Sequence, residues 1–158
     1  MKTTGKVPKR IRRTAFVLLL IVLAICLSAL MKKPAPEMPE PDGNDLWKYL
    51  TKVNPYTEWK HWPGLENMYK GQSPHGAFLR LYVNGKAYSA IQQGTVTMPR
   101  GAILVKENYN KEKKLVAITP MYKVENYNPD AGNWFWAKYG AEGKIMTEGK
   151  VQSCIDCH

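Results

Sequence analysis

The run Gly76-Ala77-Phe78-Leu79-Arg80-Leu81-Tyr82-Val83-Asn84 decides the fold class, because Phe78, Leu79, Leu81, Tyr82 and Val83 make it bulky and apolar, with Arg80 embedded among them. That is the composition of a strand. Toward the C-terminus, Asn84-Gly85 reads as a turn, and Lys86 to Gln93 as a two-turn helix with Ala87, Tyr88 and Ile91 on one face and Gly94 as its stop. Met98-Pro99-Arg100-Gly101 turns the chain into a second strand, Ala102 to Asn108. Its alternation sets Ile103 and Val105 on one face and Leu104 and Lys106 on the other. A charged tip at Asn110 to Lys114 leads to a third strand, Leu115 to Tyr122. After a turn at Tyr127 to Gly132, a fourth strand covers Trp134 to Tyr139, and Gly140 to Gly149 reads as a polar connection. Strands separated by turns and short helices predict an α+β domain.

Toward the N-terminus, Asn44 or Asp45 caps a short helix that places Leu46, Trp47, Leu50 and Val53 on one face and ends at Asn54-Pro55. Tyr56, Trp59 and Trp62 then recur every third residue, as core packing or as the wall of a pocket. Residues 32–43 carry Pro34, Pro36, Pro39 and Pro41, which favour extended chain and predict a semi-rigid linker. Before it, Ala15 to Met31 is uncharged and almost wholly apolar, at the lower limit for one bilayer crossing. The expected organisation is therefore a basic cytoplasmic segment (1–14), a transmembrane helix (15–31), the linker (32–43) and one domain (44–158). A cleaved signal is the rival, but Leu27-Ser28-Ala29 lacks the small first residue that cleavage prefers, and bulky Ile25 weakens a lipoprotein reading of Cys26. Basic residues crowd the N-terminal flank, so the domain is expected outside the cytoplasm. The net charge of +10 does not indicate nucleic acid, because residues 1–33 hold eight Lys or Arg and no acid, and the rest is nearly balanced.

The last five residues are Cys154-Ile155-Asp156-Cys157-His158. Two thiols, two spacers and an imidazole form the attachment pattern of a c-type haem, in which Cys154 and Cys157 bond the porphyrin and His158 ligates iron. Random placement of so few Cys and His produces the pattern about once in a thousand chains. A thioredoxin-like dithiol would expect a helix after the motif. A zinc site would need a further ligand, with His61 or His75 as candidates, and finger-like spacing is missing. The cofactor expected is one haem c per chain, attached in the bacterial periplasm, with the protein held by a single pass in the inner membrane.

From about Trp59 onward the chain resembles the cytochrome P-460 family and its relative cytochrome c-prime-beta. The resemblance rests on Phe78 to Asn84, on Gly101-Ala102-Ile103-Leu104-Val105-Lys106-Glu107, on Gly132-Asn133-Trp134 and on the CxxCH, in that order. It implies a mainly antiparallel β-sheet with short flanking helices, a common dimeric state and one five-coordinate haem with an open distal side. It also implies a lysine bonded to the porphyrin, matched by Lys106, and a pocket arginine, matched by Arg80. The family pattern runs on past the haem motif, whereas this chain ends at His158.

Three functions follow as expectations. The first is a haem-dependent oxidoreductase acting on a small nitrogen species such as hydroxylamine or nitric oxide, with catalytic roles for Lys106 and Arg80. The second is a one-electron carrier to a membrane redox partner, with Met98, Met121 or Met146 as sixth ligand. The third is gas binding or sensing without turnover.

Overall fold

In the computed structural model, which describes residues 35–158, the run Phe78–Val83 is the third of seven strands. The strands are β1 (Lys60–His61), β2 (Tyr69–Lys70), β3 (Phe78–Val83), β4 (Ile103–Tyr109), β5 (Leu115–Lys123), β6 (Trp134–Gly140) and β7 (Ile145–Gly149). They pair antiparallel in the order β1-β3-β4-β5-β6-β7, with β2 also on β3. Short helices flank this sheet: α1 (Gly43–Lys48), α2 (Gly85–Gln92) and α3 (Gln152–Ile155). A mainly antiparallel α+β domain is thus what the chain forms.

Alternation along the strands makes two faces. On the first, Tyr82, Ile103, Val105, Ile118, Tyr122, Phe135, Ala137 and Tyr139 are buried against Leu46, Tyr49 and Leu50. On the second, Val83 and Leu104 pack with Ala87 of α2, joined by Leu81, Met121 and Trp134. The aromatic stripe divides between them. Tyr56 and Trp59 belong to the first core and Trp62 to the second, so packing accounts for all three.

Several local expectations are corrected. Helix α1 is capped by Asp42, whose carboxylate accepts from the N–H groups of Asn44 (2.9 Å) and Asp45 (3.1 Å), two to three positions before the expected caps. The helix then widens into a π-helical turn, Tyr49–Val53. Tyr49 turns into the core, and Val53, expected on the apolar face, stays 48% exposed. Asn84 is no turn residue but the cap of α2, with its Oδ1 accepting from Ala87 N–H at 3.0 Å and its Nδ2 donating to Gly101 O at 2.8 Å. The stretch read as a polar connection contains β7, whose side chains are mostly exposed and whose stability comes from backbone pairing with β6.

The proline-rich stretch, from Pro36 onward, belongs to the compact unit Pro36–His158. Met38 packs on the first core, Tyr122 Oη donates to Pro39 O (3.0 Å) and Tyr139 Oη to Gly43 O (2.8 Å). The anchor expected at 15–31 lies outside the described residues. Among the described residues no helix is long and apolar enough to cross a membrane.

Candidate haem site

Lys106 sits mid-strand on the second face, opposite Leu81 of β3 and Thr119 of β5, and is half-buried. Beside it the loop between β2 and β3 lays His75 on the sheet. Gly76 permits this approach, because a Cβ there would meet Tyr109 backbone atoms at 2.5 and 2.6 Å. His75 Nε2 is 3.2 Å from Lys106 Nζ, and His75 Nδ1 is 3.2 Å from Asn108 Oδ1.

Asn108 fixes how that imidazole is protonated. Its Nδ2 donates to Lys106 O (3.1 Å), Ala117 O (3.3 Å) and Thr119 Oγ1 (3.0 Å), and its Oδ1 accepts from Gly76 N–H (3.2 Å). An oxygen so oriented accepts a hydrogen bond from His75 Nδ1–H, which leaves Nε2 with a lone pair facing the Lys106 amine.

Helix α3 follows β7 and carries the thiols to the same face. Cys154 is half-buried and Cys157 exposed, both as free thiols. The His158 ring lies 5.1 Å from Trp136 and 6.2 Å from His75, centroid to centroid. Burial shifts these groups toward their neutral forms. It lowers the Lys106 amine and, with the Lys106 charge adding to it, lowers both His75 and His158, while it raises the Cys154 thiol. Neutral imidazole is the form that ligates a metal.

Two observations make this face incomplete without a ligand. Trp136 is 6% exposed, and its indole Nε1–H has no acceptor among the described residues. The basic groups here have no acid partner either, since the one ion pair among the described residues is Arg100–Glu125 on the surface. Two thiols, a neutral imidazole, an unpartnered indole donor and unpaired cations suit a haem c. Cys154 and Cys157 would attach it, His158 would bind iron, and Lys106, Lys138 of β6 and Trp136 would supply the positive charge and the N–H donor that suit its carboxylates.

Arg80 is elsewhere. It pairs in register with Glu107, points to the first face beside Tyr82 and is exposed, so the sheet lies between it and Lys106. Met121 shares the second face with Trp136 across the β5–β6 pair, Met98 packs against the α2 cluster, and Met146 is 59% exposed. His61 stacks on Tyr82 at 4.5 Å. Among the described residues no three His, Cys, Asp or Glu side chains assemble to hold a metal ion, which leaves the zinc alternative without support. Sequence reading named His75 only as a candidate zinc ligand and left Asn108 as a strand end. The only available signals were an Asn inside a strand and a His before a glycine.

No curated protein matches the chain. A family model described as Cytochrome P460 matches residues 55–158, a span that takes in all seven strands and the CxxCH. A sheet presenting Lys106, a C-terminal CxxCH brought to the same face and that match together place the chain in the cytochrome P460 family, as a c-type haem protein.

Proposed function

We propose that this protein is a membrane-tethered, periplasmic haem oxidoreductase acting on small nitrogen species of the hydroxylamine or nitric oxide class. The observation that carries the reading is the Lys106–His75–Asn108 cluster beside His158, on a half-buried face whose lysines make no ion pair. When bound, haem c supplies one-electron redox chemistry and an open coordination position. The chain's own groups prepare that face. Asn108 holds His75 as the Nδ1–H tautomer, and His75 Nε2 accepts a hydrogen bond from Lys106 Nζ. A neutral Lys106 amine is the nucleophilic form, as the family's lysine-to-porphyrin bond requires. Partial desolvation around His158 favours its neutral imidazole, the form that would ligate the haem iron. Arg80, across the sheet, has no part in this reading.

A one-electron carrier is the second reading, supported by the apolar N-terminal stretch and by Met121 on the same face as Trp136. Spectra of the ferrous protein with and without carbon monoxide separate the two. Rapid binding supports the open iron that turnover needs, and no binding supports the carrier. Hydroxylamine-dependent reduction of an added electron acceptor then separates an enzyme from a gas-binding protein. A Lys106 peptide joined to the haem peptide supports the enzyme reading. Its recovery unmodified from haem-loaded protein counts against it.

A further inference from the structure

Glu107 is the one buried carboxyl among the described residues, at 5% exposed, and the site on the second face makes no use of it. Each of its oxygens accepts from a phenol. Tyr56 Oη donates to Oε1 at 2.9 Å, and Tyr109 Oη donates to Oε2 at 2.6 Å. The second bond is in the short, charge-assisted class. Tyr56 reaches Glu107 from a 3-10 turn far back in the chain (Tyr56–Glu58) and is itself held edge-on by Tyr82 at 5.3 Å. Tyr109 lies two residues along β4 on the same face and is only half-buried, which puts it between Glu107 and the surface. A carboxylate that only tied the turn to the sheet would need one of these bonds, and burying it is costly.

Burial and the neighbouring Glu107 push both phenols above their ordinary range, so neither gives up its proton by itself at neutral pH. Loss of an electron changes that balance, because an oxidised phenol is a strong acid and Glu107 Oε2 is already in hydrogen-bond contact with the proton.

We propose that Tyr109 is a redox-active residue that loses one electron to a high-potential one-electron acceptor while its hydroxyl proton passes to Glu107 Oε2. The Tyr109 O–H bond breaks, an O–H bond forms on Glu107, and the acceptor is reduced by one electron. The products are a neutral tyrosyl radical and a protonated Glu107, and return of one electron and the same proton restores the pair. Tyr56 positions the carboxylate through Oε1 and is not oxidised. Lys106 and Glu107 are neighbours in β4 and face opposite sides of the sheet. An oxidising equivalent on Tyr109 is thereby held across a single layer of sheet from the candidate haem site.

The full-length, haem-loaded protein is mixed with hexachloroiridate, a one-electron outer-sphere oxidant, freeze-quenched and read by EPR. The expected result is an organic radical line whose splitting collapses when the protein carries ring-deuterated tyrosine. Tyr109→Phe, checked for an unchanged visible spectrum and melting curve, loses that line, and Tyr56→Phe retains it. Glu107→Gln keeps both phenols but has no basic oxygen to take the proton, so it loses most of the radical yield and serves as the deciding variant if Tyr109→Phe fails to fold. A wild-type protein with no tyrosine-derived line, an undiminished line in Tyr109→Phe or an undiminished line in Glu107→Gln each overturns the proposal.

Discussion

Strand β4 sends Ile103, Val105 and Glu107 to one face of the sheet and Leu104, Lys106 and Asn108 to the other, and the two faces treat their buried polar atoms differently. On the first, α1 and its π-helical extension close an apolar core, and the one carboxyl within it is met by two phenol donors. On the second, the Trp136 indole has no acceptor and Lys106 and Lys138 make no ion pair among the described residues. A buried polar group without a partner costs about 1–3 kcal/mol, and among the described residues the one side-chain atom in that state, Trp136 Nε1, lies on the second face. The first face carries stability and the second is the candidate haem face.

Removing the attachment chemistry tests that division most severely. Cys154→Ala with Cys157→Ala is expected to abolish covalent haem, so that acid-acetone extraction removes all colour from the denatured protein. Haem that stays bound to the polypeptide would move the site away from α3. In this haem-free protein the faces should then differ in stability. Leu50→Ala, emptying a fully buried position on the first face, is expected to cost about 2–5 kcal/mol by urea unfolding. Lys106→Met, on the second, is expected to change stability by less than about 1 kcal/mol. Equal losses would erase the distinction.

Asn108→Ala falls between these. It deprives the Ala117 carbonyl, Thr119 Oγ1 and Gly76 N–H of a partner and is expected to cost about 1–3 kcal/mol. It also frees His75 to change tautomer, which nitrogen-15 shifts of the imidazole would report.

The smallest effect is a pH dependence confined to the second face. His75 and His158 both lie below their ordinary values when folded, so the unfolded chain binds more protons in that window. Stability of the haem-free protein is present above about pH 6.5 and declines as the pH falls through the lower folded values. His75→Gln should flatten that decline, and an unchanged slope would remove His75 from the account.

Much of this was legible in one dimension wherever the governing forces are local. Period-two alternation put Ile103 and Val105 on one side and Lys106 on the other, as the paired sheet does. The strands that escaped notice, β1, β2 and β7, are very short or mostly exposed and exist because a neighbour's backbone accepts them, which no side-chain pattern records. The π-helical turn at Tyr49–Val53 escaped for a related reason, since packing against the sheet rather than helical periodicity chose Tyr49 over Val53 as the buried residue.

The spacing of Cys154, Cys157 and His158 points to haem attachment without a fold, because two thioether bonds and an imidazole ligand need only a few consecutive residues. Which side chains face that motif is a matter of strand register and loop path. Pairing Arg80 with Glu107 and Leu81 with Lys106 sets Arg80 and Lys106 on opposite faces, and the close approach at Gly76 brings His75 to Lys106 from 31 residues away. Those choices are made by the burial of the whole sheet at once, so they become readable only when the chain is folded.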